Sequence, residues 1–176
     1  MAQRRARTLG QPGRAIELGF GDGTEAAFMA RQGWSVLAID AEPSAAARLA
    51  ALLGPDERQR VEIVTARLED VELPPADFVY AGYSLPFCPP DRFFHLWGRI
   101  LAALGSGGIV AGELFGDHDS WADNLEWTFL TAEQVDQLLR PLEVLKLKVE
   151  DAPGDSFVGP KHWHIFHLIA RARGQG

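Results

Sequence analysis

The chain of 176 residues has a single cysteine, Cys88, which excludes an intramolecular disulfide framework and a four-thiolate zinc site. It has no run of about eighteen apolar residues, so no segment reads as a membrane span. The start, MAQRRARTLG, carries arginines with no apolar stretch after them and does not read as a secretory leader. Positive charge is in deficit: Lys plus Arg is 17 against 24 for Asp plus Glu, a formal net charge of −7. That balance disfavours a protein that grips phosphate backbones and leaves small neutral or cationic ligands open. Internal repeats and low-complexity tracts are also missing. What remains is ordinary for a soluble core, with 47% hydrophobic, 10% aromatic and 23% charged residues. These features predict a cytoplasmic chain with one domain over residues 1–176, no membrane partner and no nucleic-acid partner.

Short apolar runs alternate with helix-like patterns after a basic, irregular segment over residues 1–13, so the core is expected over about 14–172. Strands are predicted at Arg14–Leu18, Ser35–Asp40, Val61–Thr65, Phe78–Ala81, Ile109–Leu114, Val144–Val149 and His164–Ala170. A helix is predicted from Thr24 to Gln32, with Gly33 at its C-terminal cap, and another from Pro43 to Leu53, stopping at Gly54. Asp91–Leu104 places Phe93, Trp97, Ile100, Leu101 and Leu104 on one face. Thr131 with Gln134 reads as a capping box that opens a helix to about Arg140, where Pro141 stops it. The last two strands have no helix between them, so they must pair antiparallel through a loop over Asp151–Lys161. The expected fold is α/β: a doubly wound, mostly parallel seven-stranded sheet with a C-terminal antiparallel hairpin.

The first strand ends in AIELGFGDGTE. Open α/β sheets bind ligands at the carboxyl ends of their strands, where these glycines lie. Gly19 permits the tight turn, and Gly21 lets a ligand approach the backbone without a Cβ in the way. A dinucleotide fold of the G-x-G-x-x-G type would want its third small residue at position 24, which is Thr24. The spacing here is E-x-G-x-G-x-G over Glu17–Gly23, with a second acid, Asp40, at the end of the second strand. This pattern resembles motif I of the class I, seven-stranded Rossmann-like S-adenosylmethionine-dependent methyltransferases. The chain also resembles small bacterial methyltransferases of the tellurite-resistance and thiopurine type. The resemblance implies S-adenosyl-L-methionine as cofactor and S-adenosyl-L-homocysteine as product. It implies that Glu17 meets the amino group of the methionine portion, that Gly19 and Gly21 form a backbone platform, and that Asp40 takes the ribose hydroxyls. Phe20, Asp22, Ala41 and Ala81 join the cofactor set by position. The adenine pocket is expected after the third strand, in TARLED, where no acid stands at Ala66 or Arg67. Arg67, Leu68 and Glu69 are the residues left for it.

The acceptor is expected at the same sheet edge. The loop after the fourth strand brings Tyr83, Ser84 and Phe87, without the N-P-P-Y-like motif of nucleic-acid amine methyltransferases. The loop after the fifth brings Asp117, His118, Asp119 and Trp121. His118 with Asp117 or Asp119 reads as a base with its orienting acid. The final hairpin is expected to bring Phe157, His162 and Trp163 to this mouth. Catalytic candidates are therefore His118, Tyr83 and His162, and substrate candidates are Ser84, Phe87, Asp117, Trp121 and Trp163. His162 and His164 share a strand face, but no further ligand has recognisable spacing, so no metal site is expected. Methyl transfer to an O, N or S atom of a small molecule is the reading these residues favour. A non-catalytic cofactor-binding protein and a nicotinamide-dependent oxidoreductase are the alternatives. A homodimer or a partner chain is a further way to cover the site.

Overall fold

The structure, a computed structural model, describes residues 12–174; of the basic segment 1–13, residues 1–11 lie outside it. Three strands form where the apolar runs place them: β1 (Arg14–Leu18), β2 (Ser35–Asp40) and β3 (Val61–Thr65). β4 (Ala76–Ala81) and β5 (Leu104–Gly116) follow, and β5 starts ahead of the predicted Ile109 and takes in Gly105, Gly107 and Gly108. β6 (Phe129–Leu130) is a two-residue strand that pairs parallel with the end of β5. β7 (Leu142–Ser156) and β8 (Gly159–Ala172) close the chain. The main path runs β3-β2-β1-β4-β5-β8-β7, parallel up to β5 and antiparallel from β5 to β8 and from β8 to β7.

Alternation along the strands sorts the core into two layers. α1 (Thr24–Arg31) and α2 (Pro43–Leu52) bury Met29, Ala30 and Leu49 against Val36, Ala38 and Phe78 on one face. α4 (Pro90–Ala103) and α5 (Ala132–Leu139) bury Phe93, Leu96, Ile100 and Val135 against Leu18, Ile39, Val79 and Leu114 on the other. Each of the buried Val, Leu, Ile, Met and Phe side chains among these contributes about 1.5–3 kcal/mol of apolar burial. A one-turn α3 (Pro55–Arg58) lies between α2 and β3.

Helix ends follow their local chemistry. Gly33 sits at φ 91°, as a left-handed cap requires. Thr131 and Gln134 form both bonds of the capping box. Gly54 does not cap α2. It is extended, at φ −74°, and starts α3 instead.

The longest departure from expectation is the segment Asp151–Lys161. Its Asp, Pro and Gly residues read as a loop, but β7 and β8 pair through it as far as Ser156 and Gly159. Only Phe157 and Val158 make the turn, and Gly159 follows at φ 112°. Pro153 is tolerated because β7 is an edge strand. The pairing of β8 with β5 ends at Ile165 opposite Phe115, so the rest of the hairpin projects past the carboxyl edge of the sheet.

Candidate functional site

The carboxyl ends of the first four strands surround a cavity of about 370 Å³. Gly19 after β1, Asp40 and Ala41 at the end of β2, and Arg67, Leu68 and Glu69 after β3 form part of its wall. Gly82, Tyr83, Ser84, Phe87 and Cys88, after β4, form the rest. Backbone conformation builds this wall. Gly19 (φ 71°) and Gly21 (φ 54°) are left-handed, and a Cβ on Gly19 would run into that of Ser84. A Cβ on Gly21 would meet nothing within 4 Å among the described residues, so the backbone there faces open space. The Gly21 N–H donates to Asp40 Oδ2 at 2.8 Å, and the Glu42 N–H donates to Asp40 Oδ1 at 2.8 Å. Glu42, not Asp40, caps α2 through the Ser44 N–H. The Ser84 hydroxyl donates to the Leu18 carbonyl and ties the end of β1 to the loop after β4. Tyr83 is a non-glycine residue at φ 55°, a costly conformation that concentrates at functional sites.

Other cofactor candidates lie outside this wall. Glu17, two residues before Gly19, is buried at 2% exposure. Its Oε2 has no hydrogen-bond partner among the described residues. Burial first, then the charges of Glu25, Asp22 and Asp40, hold its carboxyl well above the usual glutamate range. Phe20 and Ala81 are core residues. Asp22 accepts from the Thr24 N–H at 2.9 Å and opens α1, which lowers its pKa. Cys88 is buried, and burial pushes its thiol up to about 11, away from nucleophilic reactivity.

A second group gathers where β5 ends against the projecting hairpin. His118 is exposed, and its orienting acid is neither Asp117 nor Asp119. His118 Nδ1 lies 3.1 Å from Oδ2 of Asp151, on β7, and this bond raises the imidazole's pKa. Asp151 Oδ1 lies 2.5 Å from His162 Nε2, and the hydrogen bonds from His162 and His118 bring the Asp151 carboxyl down to about 2. Asp119 turns inward instead. It pairs with Lys161 and accepts from the N–H groups of Trp121 (3.0 Å) and His164 (3.2 Å). Lys161 is buried inside an aromatic box, 3.4 Å from the Trp121 ring centre, 3.8 Å from Trp163 and 5.3 Å from Phe115. Phe115 meets Phe87 of the cavity wall edge-on at 6.1 Å, so the two groups touch through one ring pair. Phe157 sits at the hairpin tip, fully exposed, rather than at the mouth.

A methyltransferase-domain family model matches residues 15–108. The chain belongs to that family. Its fold is that of the class I S-adenosylmethionine-dependent methyltransferases, whose cofactor is S-adenosylmethionine. TehB from Haemophilus influenzae superposes with a TM-score of 0.78 at 15% identity, over 98% of this chain and 61% of TehB. The 1,6-didemethyltoxoflavin-N1-methyltransferase of Burkholderia thailandensis, solved with its acceptor and S-adenosylhomocysteine, superposes at 0.72 with 21% identity, over 98% and 76% of the two chains. In sequence, the chain is 31% identical over 94 residues to the carboxy-S-adenosyl-L-methionine synthase of Psychrobacter arcticus, which is 53% of this chain and 36% of that relative. The chain thus spans about a third of that curated relative.

The residues of this methyltransferase domain fit the class cofactor on one observation in particular. A buried carboxylate oxygen without a donor, Glu17 Oε2, stands two residues before the glycine platform and calls for a cationic group. Sequence reasoning missed what replaces a helix between β3 and β4. Arg92 and Arg99 of α4 donate to the carbonyls of Glu69 (3.1 Å) and Leu68 (3.0 Å), and Arg99 also to that of Val71. They hold the 68–71 turn against the cavity. Their spacing of two helical turns was the available signal. Glu69 in turn binds Arg67 at 2.6 Å.

Proposed function

We propose that the domain transfers the methyl group of S-adenosylmethionine to an O, N or S atom of a small-molecule acceptor by in-line displacement. The observation that carries this reading is the unsatisfied Glu17 carboxylate two residues before Gly19, which lines the cavity. The bound cofactor supplies a sulfonium methyl that is already activated for displacement. The chain's task is then alignment, which is worth on the order of 7–11 kcal/mol in well-oriented systems. Glu17 receives the amino group of the methionine portion. Asp40 keeps lone pairs beyond its two backbone bonds for a vicinal diol. Leu68 packs on the base, and Glu69, held by Arg67, is the acid left for the exocyclic amine. Tyr83 and Phe87 face the acceptor from the cavity wall. His118 and His162, bound to Asp151 outside that wall, serve the framework of the mouth rather than proton transfer.

Calorimetric titration with S-adenosylmethionine, S-adenosylhomocysteine and NAD tests this. The first two bind and NAD does not. Asp40→Ala weakens both by ten- to a hundredfold, the loss of about 1.5–3 kcal/mol expected of charge-assisted bonds. Wild-type affinity in both Glu17→Ala and Asp40→Ala would remove the site assignment. Binding without methyl transfer to any fraction of a small-molecule extract would favour the non-catalytic reading.

A further inference from the structure

Four of the chain's five histidines lie on β8 or in the segment after β5, and three of them meet on one face of the hairpin. The β7–β8 register sets Asp151 directly opposite His164, with His162 two residues away on the same face. The segment after β5 lays the His118 ring over His164, with ring centres 4.6 Å apart and planes 22° apart. His164 can occupy that position because residue 116 is glycine, where a Cβ would overlap its imidazole. One donor atom each from Asp117, His118 and His164 lies within 4.8 Å of the other two. Asp151 is already bound to His118 at 3.1 Å, and its second oxygen to His162.

We propose that Asp117, His118 and His164 form a binding site for one zinc-type transition-metal ion, with Asp151 as the outer partner that orients His118, and His162 bound behind Asp151. The donor set is two imidazoles and one carboxylate, which leaves a fourth position for water. Such a mixture suits zinc, cobalt or nickel, whereas magnesium and calcium want oxygen alone. Asp117 and the outer Asp151 together balance the charge of a divalent ion. The Nδ1 lone pair of His164, which accepts the His118 N–H at 3.1 Å, is the electron pair the ion takes. The Asp151–His118 bond is the kind of outer contact that holds a metal-ligating imidazole in place. Three segments distant in sequence are thereby fastened to one another, and the loop carrying Trp121 is clipped to the hairpin. The remaining histidines take no part: His95 is exposed on α4, and His167 faces Glu113 and Glu150 on the opposite face.

The test uses the full chain, stripped with a chelator and titrated calorimetrically with zinc chloride and with magnesium chloride. One zinc per chain binds with a dissociation constant of about 1 µM or tighter, and magnesium does not bind. Cobalt chloride gives visible d–d bands of a nitrogen-ligated ion. His118→Ala and Asp151→Asn, both at exposed positions, each weaken zinc binding by about tenfold or more, and His162→Gln weakens it by a smaller factor. His95→Ala leaves it unchanged. Zinc binding weaker than about 100 µM, or unchanged in both His118→Ala and Asp151→Asn, overturns the proposal.

Discussion

The cavity and the projecting hairpin hold their polar groups by opposite means. In the cavity, backbone does the holding: left-handed glycines shape the turn, amide N–H groups fix Asp40, and main-chain carbonyls receive Arg92 and Arg99. At the hairpin, side chains hold side chains: Asp151 between two histidines, and Lys161 between Asp119 and the aromatic rings. The first device tolerates almost no change at a few positions. The second spreads its energy over residues that exchange partners more readily, except where the charges are buried.

Lys161→Ala breaks this contrast most sharply. It leaves Asp119 buried without its counter-charge and empties the aromatic box, a loss of about 3–5 kcal/mol in a denaturant melt. Gly19→Ala is next, at about 3 kcal/mol, because a left-handed conformation is combined with a collision against Ser84. Gly21→Ala, with the same sign of φ and open space around it, costs only the conformational part, about 1–2 kcal/mol. Equal losses at the two glycines would show that the close approach of Gly19 to Ser84 carries nothing.

Glu17→Gln goes the other way. A raised carboxyl pKa means that the folded chain binds its proton more tightly than the unfolded chain. Stability is then greatest below the ordinary glutamate range and falls as pH rises through that range towards the folded value. The ligand-free Gln variant is therefore more stable than the parent at pH 7 by about 1–2 kcal/mol, and the gap closes near pH 4. A gap that persists at acid pH would mean the effect is not Glu17 ionisation. Arg67→Ala has the smallest effect, too small to move the midpoint of a denaturant melt, because its guanidinium is largely exposed.

The same contrast explains what was legible in the sequence. β1, β2 and β3 have the residue limits that their apolar runs mark out, and the glycine turn and Asp40 lie within the first two βα units. Contiguous backbone chemistry leaves a contiguous signature. The hairpin side chains come from residues 117–121, 151 and 161–164, and only the β7–β8 register brings them together. The choice of Asp117 or Asp119 as partner for His118 failed for that reason. The nearest acids in sequence are occupied elsewhere, and Asp151 is 33 residues away. The Asp-Ala-Pro-Gly-Asp run that hid Asp151 inside an apparent loop is tolerated because an edge strand needs few inward bonds.

The position of β8 has a consequence for how the chain is made. It is the last strand in sequence order, yet it lies inside the sheet, between β5 and β7. During synthesis the β5 edge therefore stands open, with its apolar residues and unpaired amides, until β8 emerges. β7 has no sheet neighbour until then. Emergence of β8 both forms the hairpin and seals that edge, so the most aggregation-prone interval falls between these two strands. Ribosome-bound chains stalled after β7 should accordingly need a chaperone more than chains stalled after β8.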